Sequence, residues 1–281
     1  MTSLPVATPR YATGLDAAVY GVHIVQPEVP RFTTPLTRTL VAPGRLHLYA
    51  GWASPGSHRA TIVWSLLELQ RVMSVSYVDM LRDARGWAFR EASGADDVNG
   101  FTLLREAYEW TSPGYDGPVT VPVLWDRHES RIVSNDPDGI DLGLATTFDG
   151  RHGVSLYPAA LRSEIYAIDR WIERDVTTQL GLSAVNVRTR DTLLAAFATL
   201  SAHLASRRYL VGDALTIADV RLWVSLARYD AGPNAHGLVG PKLDSWEHLW
   251  SYARQLYQLP AFRDSTRFDA IAAPFAALPN W

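Results

Sequence analysis

The hydrophobic period of this chain changes once, near Phe148–Gly153, and that change limits the fold more than any other feature. Before it lie short strand-like runs: Leu46, Leu48 and Ala50 alternating, then Met73 to Val78, Val119 to Asp126, and Arg131 to Val133. Alternation over a few residues is the spacing of a strand with one buried face. From Pro158 onward the spacing is helical, with Leu161, Ile165, Ile168 and Ile172 on one stripe and Leu193, Leu194, Phe197 and Leu200 on another. The pattern predicts an α/β domain followed by an all-α domain, and 281 residues suffice for both. The expected boundaries are a Pro- and Thr-rich extended arm over 1–43, an α/β domain over 44–147 with an insertion at 80–118, and a helical domain over 155–281.

Composition excludes several classes of function. A net charge of −3 gives no basic surface for nucleic acid, and no apolar run is long enough to cross a bilayer. Met1 to Arg10 lacks a basic stretch followed by an apolar block, so no signal peptide is expected, and a cytoplasmic location is. Cysteine is absent, which rules out disulfides, thiolate-bound metals and any thiol nucleophile of the chain's own. The eight histidines show no ligand spacing, so no metal site is expected. Lys242 is the only lysine among 26 basic residues.

The chemistry concentrates at Leu46–Arg59. A strand there runs into Ser54-Pro55 and then into a helical run. Serine before proline marks a helix start: Ser54 caps, and Pro55 sits first inside, where a missing N–H is harmless. Such an N-terminus favours an anion. Val121-Pro122 puts a proline inside a strand pattern, which a cis bond would explain, with the Val121 N–H and C=O turned toward a ligand. Ser134-Asn135-Asp136-Pro137 is a second helix start. Thr216 and Asp219 form a capping box behind Leu215, a structural motif. Gly232 to Gly240 follows no strand and reads as a flexible connection.

Together these stretches, over roughly Gly44 to Phe268, resemble the thioredoxin-fold glutathione transferases, and among them the Xi class of glutathionyl-hydroquinone reductases. The resemblance implies a thioredoxin-like first domain and an all-helical glutathione-transferase-type second domain. That class carries Cys-Pro-Trp-Ala-His-Arg where this chain reads Ser54-Pro55-Gly56-Ser57-His58-Arg59. Its nucleophilic cysteine is Ser54 here, and its tryptophan is Gly56. It has a matching insertion with a Gly-Trp-x-Phe element, here Gly86 to Phe89, whose tryptophan lines the glutathione site. Trp87 either does the same or, with Phe89, pins the insertion to the core. The class reads Asn-Glu-Ser where this chain has Asn135-Asp136-Pro137; the Glu and Ser hold the γ-glutamyl head of glutathione. Asp136 can partly replace the Glu, but Pro137 has neither hydroxyl nor N–H. Two such donors lost to a carboxylate weaken binding by on the order of 2–4 kcal/mol. Two family tyrosines are also missing, at Thr177–Gly181 and at Arg228–Pro233.

The resemblance thus implies a thiol site with Ser54 as catalytic residue, bounded by Trp87, Val121, Pro122, Asp136 and Arg59, with Ser57 and His58 as secondary candidates. Ser54 either donates to a bound thiol, as serine does in other classes of the superfamily, or only caps its helix. His58 reads as a structural polar residue. Arg59 either orients an anionic ligand or pairs with Asp136 or another acid. The expected protein is a homodimer acting on a small hydrophobic or aromatic substrate, with glutathione, another low-molecular-weight thiol such as mycothiol, or no thiol. The alternatives are a non-catalytic ligand-binding homologue and an enzyme recruited to specialised metabolism with thiol-independent chemistry. Without a cysteine, glutathionyl-hydroquinone reductase activity is not expected.

Overall fold

A computed structural model of the chain describes residues 10–12, 29–273, 276 and 281. Most of the expected arm, the stretch Met1–Arg10 where no signal peptide is expected (Arg10 itself excepted), and parts of the C-terminal tail lie outside these residues. The chain divides into two compact units: Met1–Ala60 with Glu68–Thr147, and Thr61–Leu67 with Phe148–Trp281.

The first unit is built on a four-stranded sheet of β1 (Leu46–Ala50), β2 (Met73–Tyr77), β3 (Val123–Asp126) and β4 (Arg131–Ser134), in the order β2-β1-β3-β4. β1 runs parallel to β2 and antiparallel to β3, and β3 is antiparallel to β4. Leu48 faces Val75 on one side and Leu124 on the other. All five residues of β1 are buried, which corrects the expectation of one buried face. The strand is central, and the face that carries Tyr49 is covered by the insertion: Tyr49 shares one apolar cluster with Trp87, Phe89, Phe101 and Trp125. The Tyr49 hydroxyl donates to Asp96 at 3.2 Å, and Asp96 accepts from the backbone N–H of Val98, Asn99 and Phe101. One buried carboxylate therefore shapes the insertion and ties it to the sheet. The insertion also carries α2 (Arg105–Thr111). β2 burial does not alternate cleanly, since Val75 is half-buried and Ser76 is buried. Among the described residues it is an edge strand, paired with β1 on one side only. Pro122 lies just before β3 rather than inside it, so no ladder donor is lost.

Three helices flank these strands in sequence: α1 (Pro55–Leu66), α2, and α3 (Pro137–Thr147). Residues 31–34 lie along β4: Thr34 N–H donates to Val133 C=O, and Asn135 N–H to Phe32 C=O. The Asn135 side chain accepts from the N–H of Arg31 and Phe32, and the Phe32 ring packs on Tyr108 and Tyr115.

The second unit is helical. α4 (Arg162–Ile172) continues through a π-helical turn, Glu173–Thr177, and is followed by α5 (Val187–Leu204), α6 (Ile217–Tyr229) and α7 (Glu247–Tyr257). α6 is buried nearly all round, the mark of a central helix. Its start is the capping box: Asp219 accepts from Thr216 N–H at 2.8 Å and Thr216 Oγ1 at 3.0 Å. The same carboxylate takes Leu210 N–H at 2.9 Å and the Tyr252 hydroxyl at 2.8 Å. The Gly232–Gly240 stretch is a hydrogen-bonded knot, which corrects its reading as a flexible connection. Asn234 is buried, its Oδ1 accepting from Val239 and Gly240 N–H while its Nδ2 donates to Asp230 and Pro241 C=O.

Candidate functional site

The turn after β1 is held by short local bonds. Ser54 N–H donates to Gly51 C=O, and Gly51 N–H donates to Ser57 Oγ at 3.1 Å. Ser54 then opens α1. Its Oγ accepts from Ser57 N–H at 3.2 Å, and its C=O accepts from His58 N–H. This is the cap geometry that Ser before Pro predicts. The Ser54 hydroxyl donates in turn to Val121 C=O at 3.1 Å. The Val121–Pro122 bond is cis. Among the described residues no acceptor takes the Val121 N–H, while its C=O is engaged by Ser54. The Val121 C=O thus has a partner within the protein, and the N–H differs from it in this respect.

A cavity of about 210 Å³ opens beside this turn, lined by Ala53, Ser54, Pro55, Arg82, Trp87 and Val121. Trp87 belongs to the buried cluster and also lines this cavity. Next to it Gly51 lets two side chains close on the turn, since a Cβ there would stand 3.0 Å from Val121 Cγ2 and 3.3 Å from Val78 Cγ2.

The other expected residues lie around the turn but not on the cavity wall. Ser57 and His58 are buried, and Ser57 Oγ is committed to Gly51. Arg59 pairs with acids other than Asp136: its Nη2 is 2.6 Å from Asp138 Oδ1 and its Nε 2.9 Å from the buried Asp141 Oδ2. It thereby joins the first turn of α1 to α3. Asp136 caps α3, its Oδ1 accepting from Asp138 N–H at 3.2 Å. A Cβ on Gly139 would fall 2.7 Å from Asp136 Oδ2, so this carboxylate lies folded on its own helix start. Pro137 fills the space next to Gly56. A Cβ on Gly56 would meet Pro137 Cβ at 2.7 Å and Pro122 Cδ at 3.1 Å. Glycine at 56 and proline at 137 are thus sterically linked: the departure at one position is what makes the other fit.

Sequence reading missed Arg82. Its guanidinium lies 4.5 Å from the centroid of the Trp87 ring. An arginine five residues before a wall tryptophan was the available signal. The acids beside it are matched to other arginines: Asp83 pairs with Arg85 at 2.6 Å and Arg90 at 3.1 Å, and Asp79 with Arg90 at 3.5 Å. The Arg85 hydrogen bond holds the Asp83 carboxyl below its ordinary range, against a smaller opposing effect of burial. Among the described residues no group of His, Asp or Glu side chains could hold a metal ion, and no helix is long and apolar enough to cross a membrane.

Comparison with known proteins gives concordant matches. A family model for the glutathione S-transferase C-terminal domain matches residues 159–258. The chain is 36% identical over 204 residues to glutathionyl-hydroquinone reductase PcpF of Sphingobium chlorophenolicum, covering 69% of this chain and 65% of that protein. It therefore spans just under two thirds of PcpF. It is 33% identical over 239 residues to glutathionyl-hydroquinone reductase YqjG of Escherichia coli, covering 81% of this chain and 73% of that protein. The glutathione-bound structure of YqjG superposes with a TM-score of 0.77 at 31% identity, over 83% of this chain and 79% of that one. Glutathione-S-transferase Xi from Phanerochaete chrysosporium superposes with a TM-score of 0.80 at 28% identity, over 88% and 90%. The architecture is a thioredoxin-fold domain followed by an all-helical glutathione-transferase-type domain.

Proposed function

We infer the function from one premise: the chain belongs to the glutathione transferase superfamily, in its Xi class of glutathionyl-hydroquinone reductase-like proteins. We propose a glutathione-transferase-like protein that acts on a small hydrophobic or aromatic substrate through a thiol site organised by Ser54. It is not a cysteine-dependent glutathionyl-hydroquinone reductase. That reaction needs a thiolate that attacks sulfur and forms a mixed disulfide, and this chain has no cysteine.

The observation that carries the reading is the double position of Ser54, which caps α1 and lines the cavity. A thiol whose sulfur meets Ser54 Oγ lies at the positive end of α1. The helix dipole and the hydroxyl donor both favour thiolate, lowering the thiol from its ordinary value of about 8.5. The hydroxyl proton must then turn from Val121 C=O to sulfur. This exchanges a neutral acceptor for an anionic one, and charge-assisted bonds are roughly twice as strong. The Val121 N–H, which has no acceptor among the described residues, supplies a backbone donor beside it.

The start of α3 bears on which thiol. Pro137 offers no N–H, and the Asp136 carboxylate already lies on that helix start. A ligand carboxylate placed there would meet like charge and lack a donor. This supports a thiol without a γ-glutamyl head, such as mycothiol, over glutathione. Calorimetric titration with both thiols tests it. Binding of mycothiol at least tenfold tighter than glutathione is expected, with no turnover of a glutathionyl-hydroquinone. Silence from both thiols ends the thiol site, and reductase turnover ends the serine reading.

One observation favours a second reading. The Ser54 hydroxyl already donates and accepts within the protein. A homologue that binds its ligand without catalysis, or an enzyme that works without a thiol, needs no more of Ser54 than this. On that reading ligand affinity survives Ser54→Ala. Assembly as a homodimer, implied by the resemblance, belongs to the same proposal and is checked by light scattering.

A further inference from the structure

We infer that the second unit holds a site for a flat aromatic ring, that Trp281 fills this site in the structure, and that the ligand which displaces it carries a hydrogen-bond acceptor and no donor. None of the residues involved lines the Ser54 cavity, so the inference goes beyond the proposed thiol site and does not depend on it.

The seat is built by elements that are fixed without Trp281. Trp223 forms its floor: it lies on α6 and is fully buried. Trp250 and Tyr257 lie seven residues apart on α7, two turns along one face, and both are half-buried. Tyr257 stacks on Trp223 with 5.8 Å between ring centroids and 18° between planes. Phe268 adds a further wall, its ring 5.9 Å from that of Tyr257. The chain after Phe268 is tied down by the Ala273 N–H, which donates to Ala231 C=O at 2.7 Å.

The Trp281 indole sits among these four rings. It stacks on Phe268 at 5.8 Å and 15°, and meets Trp223 edge-on at 5.0 Å and 68°. Its centroid lies 4.8 Å from that of Trp250 and 6.0 Å from that of Tyr257. Offset and edge contacts at these separations favour any planar ring, not indole alone. No hydrogen bond joins Trp281 to another described residue. Its hold is packing, which a free ring of like outline reproduces.

The fit is incomplete in one respect. The Nε1–H of Trp281 is buried with no acceptor, and so is that of Trp223. A buried N–H without a partner is costly, and Trp281 regains a water acceptor when it leaves. The Trp223 N–H stays in the core with α6. An occupant without a donor avoids the first cost, and one with a ring nitrogen or carbonyl oxygen offers an acceptor against the second. Because Trp281 is on the same chain, it competes intramolecularly, and a ligand meets a closed seat in the wild type and an open one once the indole is removed.

The test uses quinoline, whose ring nitrogen accepts, and indole, which has a similar two-ring outline and donates. Both are titrated into the full chain, as wild type and as Trp281→Ala, with affinity read by equilibrium dialysis. In the wild type the Trp281 indole N–H resonance, assigned through Trp281→Phe, is followed as quinoline is added. Quinoline is expected to bind Trp281→Ala at least about tenfold tighter than wild type. It should also bind that variant about tenfold tighter than indole does, the factor for one buried donor left unmet. In the wild type, saturating quinoline should move the Trp281 resonance to the position of an indole in water. This last measurement decides even if Trp281→Ala folds poorly. Equal quinoline affinity in the two proteins, indole bound as tightly as quinoline, or a Trp281 resonance that stays in place while quinoline is bound overturns the inference. Quinoline held in the Ser54 cavity would give the first and third of these results, and silence from quinoline in both proteins overturns it as well.

Discussion

Two helix starts in this molecule use the same chemistry and end in opposite states. At α6, Thr216 and Asp219 cap the helix in full burial, and the carboxylate receives two backbone N–H groups and two hydroxyls, all from the protein. Nothing is left for a ligand. At α1, Ser54 caps with one hydroxyl, remains half-buried, and lines a cavity with a guanidinium across from it. A cap is a site when its donors stay in reach of solvent, and a core element when a buried acid closes it. The difference lies in the surroundings, since both sequences are ordinary N-cap patterns.

The largest effect should come from opening the closed cap. Asp219→Ala leaves two N–H groups and two hydroxyls without their acceptor, at about 1–3 kcal/mol for each buried group left unmet. A loss of about 4 kcal/mol or more in denaturant unfolding is expected. A loss near that of a surface cap would erase the contrast.

Next in size is a pH effect on the strand that leads into the Ser54 turn. Burial, and less so the Arg127 charge, push the His47 imidazole from its ordinary 6.5 down to about 3. The unfolded chain takes up a proton near 6.5 while the folded chain resists until about 3. Stability is therefore full above 6.5 and falls as the pH drops through that window, by at most about 1.4 kcal/mol per pH unit. Unfolding midpoints of His47→Asn measured from pH 7 to 4 should show a shallower slope than wild type.

Gly56→Ala drives a Cβ into Pro137, and overpacking of this kind costs about 1–3 kcal/mol. Pro137→Gly removes the opposing atoms, so the double mutant should recover part of that loss. Additive effects in the cycle would mean that the two positions are not linked. The smallest effect is Ser54→Ala, about 1 kcal/mol for a lost cap, seen as a modest shift of the melting temperature. A loss as large as that of Asp219→Ala would place Ser54 with the core.

How far these features were readable follows the range of the contacts. The capping box, the Ser54-Pro55 start and the change of period are set by residues within a few positions of each other, and periodicity and capping chemistry reveal them. The partners of Arg59 lie about 80 residues away, and which acid it meets depends on how α3 docks on α1. Full burial of β1 depends on the insertion folding back through Asp96, which alternation within five residues does not encode. Pro122 looked like a strand residue because the run around it is apolar; the strand begins one residue later. Arg82 carries no motif, and its stacking on Trp87 is set by the fold of the insertion.

The most direct measurement of the central claim is the ultraviolet absorbance of thiolate as pH is varied, with mycothiol or glutathione bound to the wild type and to Ser54→Ala. The account predicts a bound thiol that ionises well below its free value of about 8.5 in the wild type, and returns toward it in Ser54→Ala. A bound thiol that titrates as it does free in solution, or one whose titration is the same in both proteins, would contradict it.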